Sequence, residues 1–322
     1  MDALTPRKRQ VLVLLALAGM AAYVFFAAAL VADPLAEALR RIGWAGAGAV
    51  LSLSLVNYVL RFLRWAAYLR LLGHDVPAQR HLLYYFGGFA FTISPGKAGE
   101  ALRSLYLRPH GVPFSASLAA LFSERLMDLL VMLLLALLIT VSVADIRPAL
   151  AASGLVFVMV TAISGHGLVP ALLRKLAGRL ARRLQSLLLT LARMFESSAT
   201  LLRPRVVAPA LLAGALAWAA EGYGLYLLAA AMGVKLDPGA AVGLYAVAVL
   251  AGAASFFMPG GLGGMEAAMT ALLAAAGASL PVAFALTVLC RLATLWFAVA
   301  LGIIALLWLE LAPLAPAPGR AA

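Results

Sequence analysis

Apolar residues run along this chain in long, nearly uncharged blocks, and polar residues gather in short stretches between them. A helix needs roughly 20 apolar residues to cross a bilayer. Six blocks meet that length: residues 11 to 32, 43 to 63, 115 to 143, 149 to 173, 206 to 233 and 280 to 309. Two more are apolar but interrupted. Residues 81 to 94 stop at Pro95-Gly96-Lys97-Ala98-Gly99-Glu100, and residues 239 to 258 stop at Pro259-Gly260-Gly261-Leu262-Gly263-Gly264, followed by Met265-Glu266. Proline removes a helical donor and glycine weakens the helix, so each site stops or turns it. Irregular backbone at membrane depth survives only where protein or a wet cavity satisfies it. Both stretches therefore read as re-entrant helical hairpins, the alternative being an ordinary span with a loop at Pro95 or Pro259. The expected fold is all-α, a polytopic transmembrane helix bundle of about six full spans plus two re-entrant hairpins, in one membrane domain over residues 1–322.

Residues 173–203 follow a different rhythm. Leu173, Leu176, Leu180, Leu184, Leu187 and Leu191 recur at intervals of three and four, with arginines largely between them. That pattern predicts a basic amphipathic helix lying on the inner leaflet.

Composition agrees with a lipid solvent. Of 322 residues, 65% are hydrophobic and 12% charged, and the mean hydropathy is +1.01; a soluble domain carries about 25% charged residues. The net charge of +12 points to cytoplasmic loops and anionic lipid head groups rather than nucleic acid. Arg7, Lys8 and Arg9 place the N-terminus inside. Arg61, Arg64, Arg70, Arg80, Arg103 and Arg108, then Arg174, Lys175, Arg179, Arg182 and Arg183, fall on the same side, against the opposing vote of Arg40 and Arg41. Both termini are expected in the cytoplasm, in a cell inner membrane, with the first apolar run a retained span rather than a cleaved signal. Cys290 is the single cysteine, so no intrachain disulfide forms, and the four histidines lack metal-ligand spacing. Neither a metal nor another cofactor is expected.

The charges inside apolar blocks carry most of the functional information, because an ion in lipid costs several kcal/mol. They are Arg61, Arg64, Lys97, Glu100, Glu124, Arg125, Asp128, Glu221, Glu266 and Arg291. Arg125 stands 25 residues after Glu100, and Arg291 stands 25 after Glu266. Each unit thus reads Pro-Gly break, glutamate, helix, then a span with an intramembrane arginine, with cores at 81–143 and 239–309. The expected topology gives the units opposite senses, an inverted repeat, which is the best sequence pointer to a transporter's binding site.

A helix starting after Pro95 or Pro259 aims free backbone donors at the break, where Lys97 adds a cation, and such a cradle suits a phosphate or other anionic head group. Glu100 and Glu266 are placed to pair with Arg125 and Arg291, or to carry protons. Glu124 and Asp128, four apart on one helix face, need a nearby cation, and Arg125 is in register to supply one to Asp128. Glu221, alone in its span, is expected to face the bundle interior. Arg61, Arg64 and Trp65, at the end of the second span, are explained by snorkelling and an aromatic belt, with head-group contact as the alternative. The competing reading of the whole set is a structural network of ion pairs.

Several of these residues carry a likeness. Arg61-Phe-Leu-Arg64-Trp65, Pro95-Gly-Lys-Ala-Gly99-Glu100-Ala-Leu-Arg103, Ser123-Glu124-Arg125-Leu-Met-Asp128, Pro259-Gly-Gly-Leu-Gly-Gly-Met-Glu266 and Arg291-Leu resemble the lysylphosphatidylglycerol synthase transmembrane-region family, whose members are often called flippase-like. In two-part members this region flips lipid, and a soluble domain charges phosphatidylglycerol with an amino acid from tRNA. The resemblance, together with the proline-rich stretch from Leu311 to Ala322, implies the translocating half alone. The function it implies is movement of an amphipathic lipid between leaflets, without enzymatic activity. Membrane lipids are the expected partners, and a homo-oligomer and a separate lipid-modifying enzyme are the candidates beyond them. The competing classes are a membrane enzyme using Glu100 or Asp128 as base, and an assembly scaffold.

Overall fold

The structure, a computed structural model, describes residues 6–92, 103–139, 151, 154–155, 158–159, 167–178, 181–255 and 262–311. Every regular element among them is helical. The helices are α1 (Pro6–Leu71), α2 (Ala78–Gly87) with a 3-10 extension (Gly88–Phe91), α3 (Arg103–Leu107), α4 (Phe114–Ala136), α5 (Leu168–Ala177) and α6 (Arg182–Leu201). They continue with α7 (Pro204–Ala231), α8 (Pro238–Ala254), α9 (Gly264–Ala275), α10 (Leu280–Arg291), a π turn (Leu292–Trp296) and α11 (Phe297–Leu311).

Among the described residues three stretches are long and apolar enough to cross a membrane: Ala29–Leu71, Pro204–Ala231 and Leu280–Leu309. The first two expected spans are merged in α1, which breaks its helical geometry at Val31 and at Gly43 (φ 60°). Glu37 holds Arg40 and Arg41 between these breaks. The second segment also runs past its expected end at residue 63, to Leu71, with Arg61 and Arg64 turned inward and Arg70 exposed in its last turn. The expected span over 149 to 173 lies mostly outside the described residues. Residues 173–203 do not form one helix: α5 ends at Gly178, and Ala181, extended at ψ 148°, starts α6.

A repeated frame underlies the bundle. α1 ends on Gly73 (φ 82°) and α7 on Gly233 (φ 73°). His74 N–H bonds Leu69 O at 2.9 Å after the first glycine, and Val234 N–H bonds Ala229 O at 3.0 Å after the second. Both are glycine caps that stop a helix and send the chain into a new one, since only glycine takes positive φ without strain. A second matched pair, Gly111 (φ 77°) and Gly277 (φ 98°), precedes α4 and α10. Counted from these glycines, Asn57 matches Ala217, Tyr58 matches Trp218, Arg61 matches Glu221, Tyr85 matches Tyr245, Arg125 matches Arg291 and Asp128 matches Thr294.

The matched helices α1 and α7 run antiparallel. Gly224 faces Val50 and Leu53, Asn57 donates to Ala217 O at 3.0 Å, and Gly214 faces Arg64. The matched positions Asn57 and Ala217 therefore touch each other. Contacts also cross between units: α8 packs on α4, and α2 with its extension packs on α11. At both crossings backbone meets backbone. A Cβ on Gly302 would collide with Ala90 N and Phe89 C, and one on Gly243 would stand 2.5 Å from Ile139 N.

Candidate functional site

The largest polar cluster among the described residues is buried where α1, α2, α3, α4 and α7 converge. Glu124 of α4 is fully buried, and Asp128, one turn on, is 6% exposed. Four guanidinium groups surround them. Arg103 Nη2 reaches Glu124 Oε2 at 2.9 Å, and Arg61 Nη2 lies 3.2 Å from Glu124 Oε1 and 3.5 Å from Asp128 Oδ2. Arg64 Nη2 donates to Asp128 Oδ1 at 2.5 Å. Arg125, with 31% of its side chain exposed, sits 3.3 Å from Glu124 and 3.6 Å from Asp128. Two like charges four apart on a helix repel; here the surrounding cations reverse that. Four arginines against two carboxylates leave this group of described residues net positive.

Aromatic side chains finish the cluster. Tyr85 OH donates to Glu124 Oε1 at 2.9 Å, and Trp218 Nε1 donates to Asp128 Oδ1 at 3.1 Å. The Arg103 guanidinium lies 3.8 Å over Trp65 and 4.8 Å from the Tyr85 ring centroid, and Arg61 lies 5.0 Å over Trp218. Such faces attract a cation through the ring quadrupole. Trp65 Nε1 in turn donates to His81 Nε2 at 2.9 Å. Snorkelling and an aromatic belt thus fail for Arg61, Arg64 and Trp65, which are 6%, 4% and 1% exposed. The antiparallel α7 covers that face of α1 and brings Gly214 against Arg64, leaving room where a Cβ would stand 2.8 Å from Nη1. Arg64 Nε and Nη1 are buried without a hydrogen-bond partner among the described residues.

A second, smaller group lies in the other unit. Arg291 Nε donates to Glu266 Oε1 at 2.7 Å, the pairing expected from the sequence, and its Nη1 reaches Met265 Sδ at 3.1 Å. Glu266 Oε2 also accepts from Gly263 N at 2.7 Å, so the carboxylate caps the start of α9. Gly264 packs so closely on Ser255 and Ala251 that the flanks of this break meet. Pro95, Gly96, Lys97, Gly99, Glu100, Pro259, Gly260 and Gly261 lie outside the described residues.

Glu221 stands between the two groups, 4% exposed and facing inward as expected. Tyr245 OH donates to its Oε2 at 2.6 Å, and the Tyr245 ring lies 6.5 Å from that of Trp218. On the opposite side Tyr58 OH donates to Thr294 O at 2.5 Å, inside the π turn that follows Arg291. Trp218 bonded to Asp128 and Tyr245 bonded to Glu221 thus meet ring to ring, a tilted aromatic contact that joins the two hydrogen bonds through packing. Tyr85, Trp218, Tyr245, Asn57 and Tyr58 were missed from the sequence. Their signal was a polar atom within an apolar block, not a charge.

The family model for the lysylphosphatidylglycerol synthase transmembrane region matches residues 11–302 of this chain. The chain belongs to that family. Its match spans both units and every charged residue just placed, so the arginine cluster and the Glu266–Arg291 pair are features of a lysylphosphatidylglycerol synthase transmembrane-region protein. It is a multi-pass helical membrane protein of a lipid-handling family. A comparison with curated proteins finds no match.

Proposed function

We propose that this protein is a flippase-like lipid transporter, which moves an amphipathic lipid with an anionic, phosphate-bearing head group between leaflets of the cytoplasmic membrane. The observation that carries the reading is the buried cluster of Arg61, Arg64, Arg103 and Arg125 around Glu124 and Asp128. Burying ions is costly even when they are paired, so an ionic cluster of this size inside apolar spans is expected to serve more than packing. A cluster so rich in guanidinium groups suits a passing anion, and Arg125 at the partly exposed rim is its first contact. Guanidinium groups match phosphate geometry through paired donors.

The architecture supports the same reading. The matched glycine turns, the antiparallel α1 and α7 and the touching pair Asn57 and Ala217 fit an inverted repeat about an axis through that contact. α2 with its extension is about 20 Å long by helical rise, short of the roughly 30 Å hydrocarbon core. Together with the packed limbs α8 and α9, that length favours re-entrant hairpins. In this reading the head group crosses between the units while the acyl chains stay in the bilayer, both termini are cytoplasmic, and no bond is made or broken.

The test is reconstitution into liposomes carrying fluorescent phosphatidylglycerol, with an external quencher. Protein-dependent access of the quencher to inner-leaflet lipid is expected, and Arg61→Ala with Arg64→Ala should abolish it. Folded protein that leaves the inner leaflet protected for every phosphate-bearing lipid tried would sink the proposal. Appearance of a new lipid species on incubation with radiolabelled lipid would favour an enzyme instead.

A further inference from the structure

The pair α5–α6 has no part in the buried cluster, and it leaves leucines and cations exposed side by side. Leu168, Leu172 and Leu176 recur every fourth residue of α5 and are 71%, 57% and 42% exposed, while Pro170 and Ala177 are buried against protein. α6 divides along its length. Its second half packs on α4 through buried Ala192, Met194, Ser198 and Leu201, with the Phe122 and Phe195 rings 5.6 Å apart. Its first half leaves Leu184 and Leu187 47% and 52% exposed. Arg174, Lys175, Arg182 and Arg183 are exposed around these leucines. The Arg174–Glu196 pair, at 2.7 Å, ties α5 to the half of α6 that is anchored on α4.

Leucines interleaved with exposed cations fit one kind of surface, an apolar layer beneath anionic head groups. We infer that α5–α6 is a second lipid site, which docks on anionic phospholipids of the cytoplasmic leaflet and, through α6, sets the position of the helix bearing Glu124 and Asp128. The anchoring contact Phe122 lies two residues before Glu124 on α4, so a shift of α6 on its leaflet is passed directly to the carboxylates. The docking half of this inference stands alone; the coupling half rests on the transport reading above.

Two readouts separate the halves. The first is hydrogen exchange of peptides within 168–191, with the full chain in nanodiscs of phosphatidylcholine alone or in equal mixture with phosphatidylglycerol. Exchange should slow on the order of tenfold with the anionic lipid, as a cluster of basic residues at a charged surface predicts. Inorganic phosphate added to phosphatidylcholine discs should not reproduce it. The variant K175Q/R182Q/R183Q, whose side chains are exposed and outside the Arg174–Glu196 tie, should fold with unchanged Tm and lose the difference. Equal exchange in the two lipids, or protection by free phosphate alone, overturns the docking. The second readout is lipid movement in the same two compositions. Wild type should be several-fold faster with phosphatidylglycerol in the membrane, and the variant indifferent to it. Equal wild-type rates overturn the coupling, whereas no movement in either composition, with exchange protection intact, overturns the transport reading and leaves the docking in place.

Discussion

The two units share a frame and differ in what fills it. Counted from matched glycines, Tyr85 and Tyr245 each donate to a buried glutamate, and Arg125 and Arg291 each lie beside one. At the remaining matched positions the chemistry diverges. Arg61 answers to Glu221, and Asp128 to Thr294. Among the described residues the first unit therefore gathers four arginines around two carboxylates, while the second shows the Glu266–Arg291 pair and a glutamate bonded to a tyrosine. The difference teaches that the helix geometry does not require the charges. A matched frame of glycine caps and packed helices is made with either filling, so the frame alone does not dictate the arginines of the first unit.

The strongest way to break that comparison is Glu124→Gln. It takes one carboxylate from the surrounding guanidinium groups, and removing one partner from a buried ion pair costs about 3–5 kcal/mol. Little monodisperse protein should survive detergent extraction at 37 °C-type incubation, and Glu124→Asp should recover part of it. Gly302→Leu comes next, because its side chain must enter the backbone of Phe89 and Ala90. Overpacking of this kind costs about 1–3 kcal/mol and should lower the Tm in detergent, whereas Gly48→Ala, which meets nothing within 4 Å, should not lower it. A double-mutant cycle with Glu266→Gln and Arg291→Gln should return a coupling of about 2 kcal/mol by thermal unfolding; additive effects would remove the pair from the account. Tyr85→Phe and Tyr245→Phe sharpen the comparison most directly. Each deletes one hydroxyl donated to a buried carboxylate, so each should cost about 1–2 kcal/mol, and a large disparity would show that the matched tyrosines are not equivalent. Arg40→Gln, on an exposed pair with Glu37, should move the Tm by less than about 0.5 kcal/mol of stability allows.

Much of this was legible in the residues. Apolar blocks gave the helices, and the fixed interval from Glu266 to Arg291 foretold a pair that forms at 2.7 Å. The loneliness of Glu221 in its span foretold its burial. Arg61, Arg64 and Trp65 were read outward because charges and an aromatic at the end of an apolar run look the same whether they meet water or protein. Only the antiparallel approach of α7, with Gly214 giving Arg64 its space, decides between the two. Trp218 and Tyr245 were invisible for a related reason: an indole or phenol in a span is ordinary, and its partner is chosen by packing between elements far apart in the chain. The split of residues 173–203 at Gly178 escaped because leucine periodicity continues across it, although the backbone does not.

The crossed glycine contacts carry a mechanical consequence. Gly302 presses the spine of α11 against the 3-10 extension of α2, and Gly243 presses α8 against the end of α4, without side chains to act as a cushion. Each short limb is thereby clasped by the opposite unit's long helix. The packed blocks of the bundle are then hybrids of the two halves of the gene, and neither half, expressed by itself, would own a complete one.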